Sequence, residues 1–459
     1  MIPLFILVLV GFATVFAAVQ SPWGTPDPFR WTSNYGRDED LLRLVSPGFA
    51  DCLQYIQFIV LTGALSLNYP GYYQPAVSQA SWSVLMFNHS FVSKGAGINP
   101  VVDGIYAVNT TYGLDGLSQL VGMAGVQDIW PAMTIWLLII LGSVTILTQL
   151  AFFCRWIYRL VTHVPEEDHR AKNIPFSLGN IVRIIFNYLL LPIISLSMFQ
   201  LVEAGKSPAP SNALAVVMIL ALIAFSIWLI HLIVTTRPKS YLFDDLPTVL
   251  LYGPLYNTYC DDAAAFALVS ILITFLRGVA IGAVQPSGIA QLVLLAICEV
   301  VFTLTLSAFR PFPSATSMNF YHFCFSIVRF VVVLLSVTFV PSLGVSEQAK
   351  GWIGYIILII HAIVLVFGFF LNSLRTIIEV VARLAGAGGN GTSATRGGLS
   401  KVGISFPTLL ALDNLFFLLF NPVFCWLGVA HELNFRCRFS GCDSYRVVWR
   451  GPTLPLVKA

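Results

Sequence analysis

Apolar residues in this chain come in long unbroken runs. The stretch "ALAVVMILALIAFSIWLIHLIV", residues 213–234, contains no Asp, Glu, Lys or Arg. Strands of a membrane barrel alternate apolar and polar positions, and these runs do not, so the pattern predicts helices. A helix needs about 20 apolar residues to cross a bilayer. On that rule nine spans are expected, at residues 2–20, 46–66, 129–154, 177–202, 212–235, 263–284, 286–309, 320–342 and 350–374. The predicted fold class is an all-α polytopic membrane protein with one loop module at 67–128. The spans divide the chain into a first helix (1–20), an interfacial segment (21–45), a membrane block (46–383) and a tail (384–459).

Composition agrees. The chain is 57% hydrophobic and 10% charged, against roughly 25% charged in soluble proteins. Backbone polar groups in lipid must be satisfied internally, which helices achieve. The net charge of +3 and the absence of any Lys/Arg block give no reason to expect a nucleic-acid partner. The partners expected are membrane lipids.

Charge then sets orientation. Put the N-terminus on the lumenal or extracellular side. Nineteen of the 25 Lys and Arg then face the cytosol, three face the lumen (Lys94, Lys206, Lys350) and three lie within spans (Arg183, Arg277, Arg329). Such a bias is the positive-inside pattern. The sequons at Asn88 and Asn109 then fall in the lumenal loop, where N-glycosylation occurs, whereas Asn390 falls in the cytosolic tail. A cleaved signal peptide over residues 1–20 is the alternative. It lacks a basic start, and it would invert every later span.

The loop opens on "LSLNYPGYYQP", residues 65–75. Its prolines fix φ, its glycine permits a tight turn, and its tyrosines suit the headgroup level. The expectation is an interfacial corner.

Chemistry is sought among buried ionisable groups. Glu299 and Arg329 lie ten and nine residues from the shared cytosolic end of consecutive spans, so an antiparallel hairpin brings them to matching depth. They are the expected charged pair, with either a static bridge or a role in permeation or gating. Arg277 is expected to snorkel to the lumenal interface, with an anion or ligand role as the other reading. Arg183 is expected to snorkel at the cytosolic end. His361 is expected to bond a neighbouring helix rather than relay protons. The pairs Asp244–Asp245 and Asp261–Asp262 lack EF-hand spacing and read as solvated or capping residues. "GRDEDLLR" reads as an interfacial helix. No P-loop, HExxH, GxSxG or Rossmann pattern is present, so no catalytic residue, metal site or cofactor is expected. The eight cysteines lack zinc-type spacing, and a disulfide framework is not expected.

Several stretches resemble a known family. They are "NYGRDEDLLRLVSPGFADCLQYIQF", "TGALSLNYPGYYQPAVSQASWSVLMF", "DGIYAVNTTYGLDGLSQLVG", "LFDDLPTVLLYGPLYNTY" and "RPFPSATSMNFYH". Together they resemble the fungal TRP-like family of flavin carrier and polycystin-like membrane proteins. The resemblance implies a membrane transport protein and not an enzyme. It implies permeation of ions, Ca2+ among them, or movement of FAD as a transported substrate. It places the protein in the endoplasmic reticulum or plasma membrane with a link to cell-wall maintenance, and leaves a homo-oligomer open. A lipid-sensing or lipid-moving protein and a non-conducting scaffold are the alternatives. Members usually carry a lumenal lipid-recognition-like domain before the membrane block; with the first span expected at residues 2–20, that domain is not expected in this sequence. The resemblance continues through "ATRGGLSKVG" and stops at about residue 403. The apolar stretch beyond reads as a tenth span, an interfacial helix or translated intron.

Overall fold

The computed structural model describes residues 1–21, 42, 44–93, 101–102, 105–106, 110–162, 169–237, 241–313 and 316–385. The interfacial segment, "GRDEDLLR", Asn109, Asn390 and the tail after 385 therefore lie outside the described residues, apart from a few positions near 42–45.

Fourteen α-helices of six or more residues order the described residues, besides one short turn of helix at Tyr241–Asp244. They are α1 (Ile2–Gln20), α2 (Phe49–Thr62), α3 (Tyr73–Ser78), α4 (Gly113–Val121), α5 (Ile129–Thr162), α6 (His169–Arg183) and α7 (Leu190–Val202). Then come α8 (Ala209–Thr235), α9 (Leu246–Tyr256), α10 (Phe266–Gly282), α11 (Gly288–Phe309), α12 (Met318–Ser336), α13 (Glu347–Ile363) and α14 (Leu371–Leu384). A two-residue antiparallel ladder, Val101–Val102 with Ile105–Tyr106, is the strand content of the described residues.

All nine predicted apolar segments are helical, but not as nine full spans. Among the described residues six helices are long and apolar enough to cross a membrane, or seven if one bent pair is a single span. α2 has 14 residues and α10 has 17. The fourth expected span breaks by 69° between residues 172–188 and 190–202. A π turn at Ile184–Tyr188 precedes the break. Pro192 follows it, in the first turn of α7, where a missing N–H costs no intrahelical bond.

The break explains two glutamines in the mostly apolar α2. Carbonyls freed at a helix interruption need new donors when water is absent. Gln54 donates its side-chain amide to the Asn187 carbonyl at 2.6 Å, and Gln57 donates to Tyr188 at 2.7 Å. α2 is thus the central pillar, with every residue from Tyr55 to Thr62 buried.

Small residues bring other helices close. Gly278 and Gly282 form a GxxxG stripe on α10 against α7; a Cβ at Gly282 would collide with the Ser195 carbonyl, and one at Gly278 with Ile194. This is the close-packing device of membrane helices. α11 packs along α12, α9 under α6, and α1 along α14. Asp245 caps α9, accepting from the Thr248 N–H at 3.2 Å, and so takes the expected capping role. The outer helices turn large apolar side chains outward: Leu138, Ile146 and Phe153 on α5, and Leu214, Leu220 and Trp228 on α8 are all exposed. Lipid is the solvent that suits such a surface.

The rings of the tyrosine corner pack into the protein. Tyr69 and Tyr73 are buried and stack at 5.1 Å, and both pack against the buried Phe339. Tyr72 stacks on Tyr355 of α13 at 4.3 Å and donates its hydroxyl to the Gly351 carbonyl. The rings are plugged into protein because α13 offers a glycine, Gly354, where a Cβ would strike the Tyr72 hydroxyl and Pro70.

Candidate functional site

Two chain segments meet first. α11 and α12 are joined by the short 310–317 connection and pack along their length. Their antiparallel register sets Glu299 beside Ser326 and Arg329. Arg329 Nε lies 3.0 Å from Glu299 Oε2, and the Ser326 hydroxyl donates to the same oxygen at 3.0 Å. Thr303 closes the turn by donating to the Glu299 carbonyl at 2.7 Å.

A third helix joins them. Arg277 of α10 does not snorkel, contrary to the expectation from sequence: its Nε lies 2.7 Å from Glu299 Oε1 and its side chain is 10% exposed. The GxxxG stripe draws α10 deep into the bundle, and the long side chain then reaches a carboxylate rather than water. The contact is an ion pair made through Nε, and Nη2 is left without a hydrogen-bond partner. The Phe302 ring lies 5.1 Å from the guanidinium of Arg277 and 6.0 Å from that of Arg329, which favours cations over its face.

Glu299 itself is 0% exposed. An unpaired charge at such a depth costs about 3 kcal/mol or more. Both carboxylate oxygens face a guanidinium, so Glu299 is tied up as an ion partner and is not a free cation ligand. No cluster of His, Cys, Asp or Glu able to hold a metal occurs among the described residues.

The cluster continues as a column along α2. Arg329 lies over Phe58 at 5.9 Å. One turn back, Tyr55 meets His361 Nδ1 at 3.1 Å. One turn further, Asp51 lies 3.6 Å from His322 Nε2 of α12. Residues 51, 55 and 58 share one face of α2, and 322, 326 and 329 share one face of α12. His361 therefore bonds a neighbouring helix. It is buried, its Nε2 has no hydrogen-bond partner, and the π turn Val364–Phe370 begins just after it.

The remaining sequence candidates stand apart. Arg183 is half-buried at the last residue of α6. Asn88 is exposed in the loop before α4. Sequence reasoning missed Asp51, Tyr55 and His322, whose signal was the four-residue spacing of polar groups along two apolar helices. It also missed the buried amides Gln285 and Gln291. Gln285 accepts from the Ser66 hydroxyl at 2.8 Å and donates to the Ile281 carbonyl at 2.7 Å, while Gln291 accepts from the Ser66 N–H at 2.9 Å. They pin the tyrosine corner to the α10–α11 turn.

Comparison with known proteins supplies the family. The chain is 29% identical over 393 residues to an uncharacterized membrane protein of Schizosaccharomyces pombe, covering 83% of this chain and 45% of that protein. The chain thus spans less than half the length of that curated relative. No solved structure matches. The family model for the transient receptor potential (TRP) ion channel matches residues 102–384, which include α4 to α14 and all three charges of the trio. With its stacked apolar helices, this chain is a multi-pass membrane protein that belongs to the TRP ion channel family.

Proposed function

We propose that the protein conducts ions and that the column between α2, α11, α12 and α13 is its working part. The observation that carries this reading is the alignment of ionisable side chains along the bundle, from Asp51–His322 through Tyr55–His361 to Arg277–Glu299–Arg329. Burying so many polar groups in one seam is costly, and a scaffold has no use for it. Because Glu299 is engaged on both oxygens, the trio acts as a latch holding α10, α11 and α12 together. Rearrangement of the latch changes the path beside it. The membrane is that of the endoplasmic reticulum or the cell surface, with the N-terminus lumenal or extracellular, as the Lys and Arg distribution favours.

The test is reconstitution into liposomes with K+ and Ca2+ flux read in parallel with FAD uptake and lipid scrambling. Ion flux above protein-free vesicles is expected, and E299Q should change that flux at equal folded protein. Folded protein that passes no ion sinks the reading. FAD uptake would then favour the flavin-carrier role, and scrambling the lipid-moving role.

A further inference from the structure

Two guanidiniums share one carboxylate. With each group in its ordinary ionised state, the trio is one positive charge in excess. α10 and α12 contain no acidic residue and α11 contains only Glu299. Among the described residues, Glu299 is the carboxylate paired with either arginine, and the other carboxylate of the column, Asp51, faces His322 two turns back along α2 rather than a guanidinium. Arg277 is 9% exposed, and its Nη2 is a buried donor without a hydrogen-bond partner. Phe302 offers both guanidiniums a π face, but a ring cannot neutralise a charge. A buried N–H without an acceptor and an unbalanced charge in an apolar bundle call for the same complement.

We propose that the Arg277–Glu299–Arg329 cluster binds a singly charged anion, which accepts a hydrogen bond from Arg277 Nη2 and balances the excess charge. A solvent halide and the phosphodiester of an anionic lipid share this chemistry. The proposal stands on the charge count and holds whether or not the protein conducts ions, so it is read by binding and not by flux.

The purified full chain is unfolded thermally in chloride and in gluconate at one ionic strength. Parallel samples receive phosphatidylglycerol in a chloride-free buffer. The wild-type midpoint is expected to rise by roughly 1–3 °C with one of these anions and to saturate. R277Q should not respond. It leaves a neutral Glu299–Arg329 pair, so its folding is expected to survive, with a midpoint in gluconate no lower than that of wild type. A second readout needs no comparison of stabilities: wild type should broaden the chlorine-35 resonance of chloride, and R277Q should not. A response to chloride assigns a halide, whereas a response to phosphatidylglycerol alone assigns a headgroup. Identical behaviour of wild type and R277Q in every arm overturns the proposal.

Discussion

At the residue scale, the three members of the trio are not equivalent. Removing the carboxylate leaves two buried arginines without a partner. Removing Arg329 leaves Glu299 with the less well-directed contact of Arg277. Removing Arg277 leaves a neutral, hydrogen-bonded pair. E299Q is therefore expected to be the most damaging, by about 3–5 kcal/mol, with R329Q intermediate and R277Q least. Denaturant unfolding in detergent gives the order, and an R277Q that unfolds more easily than E299Q would refute it. A double-mutant cycle between Glu299 and Arg329 should show coupling of roughly 1–3 kcal/mol, and additive effects would mean that the two do not interact. Tyr72→Phe removes one hydroxyl but keeps the stack on Tyr355, so a loss of about 1 kcal/mol is expected. A neutral result would leave the ring stack as the whole of that contact.

At the scale of elements, helix existence was legible and helix integrity was not. Long apolar runs announce helices because lipid forces internal hydrogen bonding, and the runs at α1, α5, α8, α11 and α12 carry that signal. The depth match of Glu299 and Arg329 was legible too, since a short connection and a fixed rise per residue set it. Arg277 was not. Its position near a helix end suggests an interface, and only the approach of α10 to α7 through Gly278 and Gly282 shows otherwise. The break before α7 was hidden for a similar reason: its π turn is stabilised by Gln54 and Gln57, which lie more than a hundred residues away in sequence. The glycine stripe can be tested directly. Gly282→Val should abolish folded yield because its side chain meets backbone, whereas Gly142→Ala, which meets nothing within 4 Å, should be tolerated. Equal yields measured by fluorescence-detected size exclusion would show that α10 and α7 do not pack this closely.

At the scale of the molecule, orientation decides which ends of the column face which compartment. Asn88 is exposed, and the proposed topology puts it in the lumen. An endoglycosidase should increase the gel mobility of the expressed protein, and N88Q should remove the part of the shift due to that site. An unchanged mobility of the wild type would argue for the opposite orientation.

The length of α2 has an electrical consequence. Fourteen residues rise about 21 Å, against a hydrocarbon core of about 30 Å. The pillar on which the polar column is arranged is thus shorter than the insulator around it. Where an insulating layer thins locally, a transmembrane voltage falls over a shorter distance and its gradient steepens. A full elementary charge crossing 100 mV exchanges about 2.3 kcal/mol with the field. Where water or polar side chains cover both ends of so short a helix, the field is concentrated along it, and a charge displaced beside it exchanges a larger share of that energy.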